Sequence, residues 1–418
     1  MRRRRFLLQT AGLAGAAAYG LSGCSSSSKT SLHLMVASYD KSVGSSIGDQ
    51  WAAAVKAYKK VKPDVEIHLE RIPFLKLDKT LADRVKAGKA PDIAQSNAFA
   101  PFAEAGKLYP TSELFAIPTQ ADFIQSFAEA GVSHYVQYGI PFLASTPRLF
   151  YNTKLFKQAG VSAPTSWDEL RSAAQALKGI GVPTPYGLQL GPEAAEDEAL
   201  SWLLAGGGTY AGVTGYEFAS PSNIATLTWL RDNLVTEGLA GSAPQRLSRT
   251  AAYGQFLQGQ VGMMLAHPVL MRAADQARLP YAHTAFPSKG GGAAPPLGLN
   301  DWLLAFNQNG NKKACGELLT YLYSKKSSVA YSGGEAALPV TASASDSLRS
   351  DPKQRPLWEF IDQMPKAEFQ PVNLASWPEV RAAIRTDIGA AVLRGGDPRA
   401  VLTALDTAAS RAEIHTAS

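Results

Sequence analysis

The chain has 418 residues, 45% of them hydrophobic and 18% charged, a globular composition long enough for two or three domains and unlike a disordered or collagenous chain. Its formal charge of +6 comes from 41 basic and 35 acidic side chains, and the four arginines of residues 2–5 supply most of the excess; the near-neutral remainder argues against a nucleic-acid surface. Only two cysteines are present, Cys24 and Cys315, which excludes a disulfide framework and an all-cysteine metal site.

Residues 1–23 read as an export signal. A basic start is followed by a short, glycine-interrupted apolar stretch, shorter than a membrane span needs. Arg3-Arg4-Arg5-Phe6-Leu7 fits the twin-arginine pattern, with general secretion as the other route. Leu21-Ser22-Gly23-Cys24 resembles the bacterial lipobox. Cys24 is then expected to take a lipid, and residues 24–30 to form a lipidated, flexible tether.

Strand and helix signals alternate from there. Residues 31–37 read as a strand, 48–60 as a helix with Trp51, Val55 and Tyr58 at helical spacing, and 65–69 as a second strand. A helix over 75–87 stops at Gly88, and Asp92-Ile93-Ala94 opens a third strand. This alternation predicts an α/β unit with a largely parallel sheet. Further on, 149–152 is β-prone, and Ser166-Trp167-Asp168-Glu169 is a capping box for a helix reaching Lys178. Helices are expected over 196–205, 223–236 and 251–258, strands over 261–266 and 302–306. Helices over 312–323, 378–392 and 398–409 complete the chain. Cys315 lies in a helical pattern and reads as a core cysteine.

Several motifs carry little chemistry. Residues 44–48 match the G-x-S-x-G elbow around Ser46, but polar loop residues separate the match from the preceding strand. The six histidines lack metal-ligand spacing, and Gly206-Gly207-Gly208 lacks the Lys-Ser or Lys-Thr of a phosphate loop. Glu193, Glu196, Asp197 and Glu198 crowd a helix start, where acids complement the positive end of the helix dipole. The same cluster offers acceptors for sugar hydroxyls, or a carboxylate pair for glycoside chemistry. Trp202, Trp302 and Trp377 lie near glycine, asparagine or proline breaks, where an aromatic face can line a cleft or pack a core.

Five segments together resemble the extracellular solute-binding proteins of ABC importers, the family that includes maltose-binding proteins. They are Gly88-Lys89-Ala90-Pro91-Asp92-Ile93; Gly139-Ile140-Pro141 with the run 149–156; Pro164-Thr165-Ser166-Trp167; the run 256–264; and Leu338-Pro339-Val340. The resemblance implies a two-lobed, type II periplasmic-binding-protein fold that captures its ligand by hinge closure. The first lobe is expected over 31–144 plus 290–340, the second over 145–289 plus 341–418. By the same resemblance the ligand is a carbohydrate, the partner is a membrane permease, and the protein is a monomer without catalysis, cofactor or metal. It is expected to be held by Cys24 at the outer face of the cytoplasmic membrane. A glycerophosphodiester or amino sugar is the alternative ligand, and a secreted glycoside hydrolase the alternative activity. Ligand contacts are expected from loops after strands and from the crossovers. These are Ser38, Tyr39 and Asn97 in the first lobe, then Arg148 at the crossover. Tyr186, Glu193 and Trp202 follow in the second lobe. Asn300, Asp301 and Trp302 come after the glycine-rich crossing, and Asn373 and Trp377 before a late helix. Asn300 and Asp301 stand where many relatives have two glycines, which makes this contact more polar.

Overall fold

A computed structural model describes residues 30–38, 47–335 and 337–417. The export signal, Cys24, the tether up to residue 29, Tyr39 and Ser46 lie outside the described residues. Among the described residues no helix is long and apolar enough to cross a membrane.

Two sheets organise the chain. Strands β1 (Thr30–Ser38), β2 (Val65–Pro73), β3 (Ile93–Ser96), β6 (Ile140–Ser145) and β13 (Leu299–Ala305) form the first, in the order β2-β1-β3-β13-β6. Strands β7 (Arg148–Asn152), β8 (Thr184–Tyr186), β11 (Val261–Ala266) and β12 (Tyr281–Thr284) form the second, in the order β12-β7-β11-β8, and β9 (Ala211–Gly212) and β10 (Gly215–Tyr216) make a separate hairpin. Each sheet is parallel except for one strand. β13 runs antiparallel to both of its neighbours, and β7 does the same in the second sheet. The chain explains this: β7 and β13 are the strands entered directly after a crossing from the other sheet, so each starts at the end where its neighbours finish.

Local signals hold the helices in place. Asn152 Oδ1 accepts from the N–H groups of Lys154 and Leu155, both at 3.1 Å, and so caps the helix Thr153–Ala159. Gly160, at φ 69°, ends that helix in the left-handed region. Ser166 caps the helix Trp167–Gly179 through Glu169 N–H at 3.2 Å. Glu169 turns back onto Thr165, one residue before the cap, with its carboxylate accepting from the Thr165 N–H at 2.7 Å.

Buried side chains form three clusters. One fills the second lobe around Trp167, Trp202, Leu227 and Leu405, and the C-terminal helices Trp377–Asp387 and Pro398–Ala417 complete it. The other two cover the two faces of the first sheet. Phe360, from the helix Arg355–Ile361, joins Phe150 of β7 to one of these, so apolar packing is continuous past the crossings. Cys315 is buried and free, and burial pushes its thiol up to about 12.

Close packing also positions Trp302. The hairpin β4–β5 (Val132–Ser133, Val136–Gln137) is flanked by Gly131 and Gly139. A Cβ at Gly139 would lie 2.6 Å from Trp302 Cε3 and 3.0 Å from Phe99 Cδ1. The Phe99 ring meets Trp302 edge-on at 5.1 Å. Gly139→Ala is therefore expected to destabilise the protein by about 1–3 kcal/mol through overpacking. Urea unfolding followed by tryptophan fluorescence measures it, and an unchanged midpoint would show that the hairpin yields.

Candidate functional site

The carboxyl ends of parallel strands leave loops whose backbone groups and side chains face outward together, the usual place for a ligand in open α/β sheets. Here the ends of β1, β2, β3 and β6 and the start of β13 face the corresponding loops of the second lobe. Between them lies a cavity of about 890 Å3. Ser38, Asn97, Ser145, Asn300, Asp301 and Trp302 line it from the first sheet. Glu193, Glu196, Asp197, Arg249, Tyr253 and His267 line it from the second lobe. Gln370, Arg381 and Arg385 reach it from the C-terminal segment.

Most charged groups of the wall have charged or amide partners. Arg385 Nε donates to Glu196 Oε2 at 2.8 Å, and its Nη2 to Glu196 Oε1, a bidentate fork with directional strength. Arg249 lies 3.8 Å from Glu193 and 3.7 Å from Asp197. Gln370 Nε2 donates to Asp197 Oδ1, and Gln95 Nε2 to Asp301 Oδ2. Glu193 also accepts from the Thr250 N–H at 2.9 Å, in the first turn of the helix Arg249–Leu257. Burial and the neighbouring Glu196 raise the Asp197 carboxyl to about 7, against the pull of Arg249, Arg385 and Arg381. His267 is lowered to about 3 by burial and by Arg249. It is neutral, with Nδ1 2.9 Å from Ser145 Oγ and its backbone N–H donating to the Tyr253 hydroxyl.

Of the residues singled out from sequence, Ser38, Asn97, Glu193, Asn300, Asp301 and Trp302 meet at this cavity. The others lie elsewhere, each for a visible reason. Tyr186 and Trp202 are fully buried and converge on Glu198, the Tyr186 hydroxyl at 2.9 Å and the Trp202 Nε1 at 3.1 Å. Arg148 turns outward to Glu359, at 2.5 Å, and to His283 Nδ1, at 3.1 Å. Trp377 is fully buried beside Tyr210, and Asn373 sits exposed on the loop before that helix. The cavity also holds residues the sequence reading did not assign: Phe74, Arg249, Phe369, Gln370, Arg381 and Arg385. The i,i+4 spacing of Arg381 and Arg385 puts both on one helix face, which is the one local signal for them.

A ligand here would meet amides, hydroxyls and paired charges on its polar edges, and Phe74 and Phe369 on its apolar faces, while Trp302 and Tyr253 back the wall from the core, 1% and 4% exposed. Among the described residues no group of three or more histidine, cysteine or carboxylate side chains is placed to hold a metal.

A family model described as bacterial extracellular solute-binding protein matches residues 44–328. A Brucella abortus chain described only as a binding protein is 26% identical over 364 residues, covering 85% of this chain and 87% of its own. The fold is similar to that of a Thermotoga lettingae ABC-transporter solute-binding protein bound with alpha-D-tagatose, with TM-score 0.78 and 19% identity, covering 93% of this chain and 100% of that one. It is also similar to the cyclic alpha-maltosyl-1,6-maltose binding protein of Arthrobacter globiformis, with TM-score 0.76 and 20% identity, covering 92% and 99%.

Proposed function

The chain belongs to the bacterial extracellular solute-binding protein family, and from that premise we propose that it captures a neutral carbohydrate between its lobes for delivery to an ABC permease. One observation carries the choice of ligand. The cavity wall holds Glu193, Glu196, Asp197 and Asp301 against Lys76, Arg249, Arg381 and Arg385. The two signs are close to balance, and most of these groups already have partners: Arg385 with Glu196, Arg249 with Glu193 and Asp197, Arg381 with Asp78 behind the wall, and Asp301 with Gln95. A glycerophosphodiester would need surplus cation, because phosphate recognition relies on donors not already committed to carboxylates. A polyhydroxylated neutral solute needs planar acceptors and donors held in fixed orientation, and paired charges supply them. The sugars bound by the two solved neighbours agree in class.

In this reading Ser38, Asn97, Glu193, Asn300, Asp301 and Trp302 contact the ligand, joined by Arg249 and Gln370. Tyr39 is assigned there from sequence alone. The lobes divide near 31–144 plus 290–340 and 145–289 plus 341–418. The protein is an exported monomer anchored through lipid on Cys24, and it carries out no reaction.

Thermal unfolding against mono- and oligosaccharides, amino sugars and glycerophosphodiesters tests this. A ligand at a hundred times its Kd stabilises the folded form by about 2.7 kcal/mol. A concentration-dependent rise in Tm with one neutral sugar class, recovered intact, is the expected result. A rise with phosphodiesters alone would overturn the ligand assignment, and breakdown of the sugar would overturn the receptor role.

A further inference from the structure

We propose that Asp78 is a latch across the cleft: its carboxylate holds Asn97 of the first lobe and Arg381 of the second together, and so sets how long the closed form lasts. Asp78 lies in the helix Phe74–Lys86, whose first residues line the cavity. Its Oδ1 accepts from the Asn97 N–H at 2.9 Å and from Ser96 Oγ at 3.0 Å. Its Oδ2 accepts from Asn97 Nδ2 at 3.2 Å and from Arg381 Nη2 at 2.9 Å.

The donors come from different bodies. Ser96 and Asn97 sit at the end of β3, beside the Asp78 helix in the first lobe. Arg381 sits on the helix Trp377–Asp387, whose Val380 and Ile384 are buried in the second-lobe core. One turn further on, Arg385 holds Glu196 of that same lobe. The helix thus carries two guanidiniums, one committed to each side of the cleft. Opening the cleft leaves Asp78 with Ser96 and Asn97 and removes Arg381 from it.

The pair is mostly shielded, with side-chain exposures of 12% for Arg381 and 29% for Asp78. Shielded pairs matter more than surface ones, and breaking one leaves an uncompensated charge. Burial pushes the Asp78 carboxyl up, but Arg381 and the Asn97 donors outweigh it and hold the group below its usual range. It is therefore ionised at neutral pH. Because Asn97 itself lines the cavity, the same carboxylate orients a ligand-facing amide and registers closure.

The ligand half of this inference rests on the solute-capture reading; the closure half does not. The test is the distance between spin labels placed one on each lobe, measured without ligand in the wild type, Asp78→Asn, Arg381→Gln and the double variant. Arg381→Gln leaves the Asp78 bonds to Ser96 and Asn97 in place, so it reports on the latch even where Asp78→Asn folds poorly. Both single variants are expected to gain an open population, and the double variant no more than either. With a sugar identified by thermal shift, the singles should release it about tenfold faster, a change of about 1.4 kcal/mol, at little-altered association rate. Unchanged label distances with only a lowered Tm would reduce the pair to a structural contact and overturn the proposal, as would fully additive effects. If no sugar binds, the distance measurement still decides the latch.

Discussion

Arg385→Leu is expected to lower the unfolding free energy by about 3–5 kcal/mol, the range for removing one partner of a buried ion pair. Glu196 is 2% exposed and takes both guanidinium bonds of Arg385. Without Arg385 the carboxylate stays in the wall beside Asp197, with Arg249 within electrostatic reach. It must then either remain charged in a poor environment or take up a proton. The double variant Glu196→Leu/Arg385→Leu removes both charges and should recover most of the loss, since a buried pair replaced by apolar side chains is often close to neutral. Urea midpoints of the two singles and the double give the coupling directly. A loss under 1 kcal/mol for Arg385→Leu would mean the pair behaves like a surface contact, and the wall would be far wetter than its burial indicates.

The order of elements was legible because their signals are local. Ser166 and Asn152 cap helices through residues two or three positions on, and strands such as Val261–Ala266 are continuous apolar runs. About half of the assigned cavity residues were legible too, because they sit at strand ends: Ser38 closes β1, Asn97 follows β3, and Asn300 to Trp302 open β13. The aromatic residues divided less well. Trp202, Trp302 and Trp377 all flank backbone breaks, yet only Trp302 lines the cavity. What separates Trp202 is Glu198, a buried acceptor one helical turn away that claims its indole N–H. The charged wall was hardest to see. Asp78 and Arg381 are 303 positions apart, and Arg385 and Glu196 are 189 apart. No periodicity links residues so distant; only the return of the C-terminal helix to the cleft brings them together. For the same reason the phosphodiester alternative stays open on sequence, where Arg148 is the one basic residue among the expected contacts. The structure instead brings three arginines to the cavity, each facing a carboxylate.

Stability is expected to be nearly level between about pH 4.5 and 6.5 and then to fall by about 3 kcal/mol towards pH 8, at about 1.4 kcal/mol per group per pH unit. Four shielded groups set this shape, Glu198 buried and Asp197, His267 and His283 partly so. Burial raises Glu198 to about 8, against the bonds from Tyr186 and Trp202, and Asp197 is raised to about 7. Both hold protons that the unfolded chain has already lost above about pH 4, so each lowers stability as pH rises to its folded value. His267 is lowered to about 3 by burial and Arg249, and His283 to about 4 by burial and Arg148. Below about pH 6.5 the unfolded chain protonates these histidines and the folded protein does not, so their contribution rises with pH over the same window. The two pairs offset one another up to about 6.5, where the histidine contribution ends. From there to about 7 both acids act, and from 7 to 8 Glu198 acts alone. Glu198→Gln removes the whole Glu198 part of this profile, because an amide matches a protonated carboxyl in shape and its carbonyl oxygen still accepts from Tyr186 and Trp202. The variant should match the wild type near pH 4, where Glu198 is protonated in both states, and then gain on it by about 1.4 kcal/mol per pH unit up to about pH 8, read from urea unfolding at each pH. A wild-type profile that stays level to pH 8 would place the Glu198 proton elsewhere. The carboxylate would then be ionised within its ring of donors, and its hydrogen bonds, not its burial, would govern it.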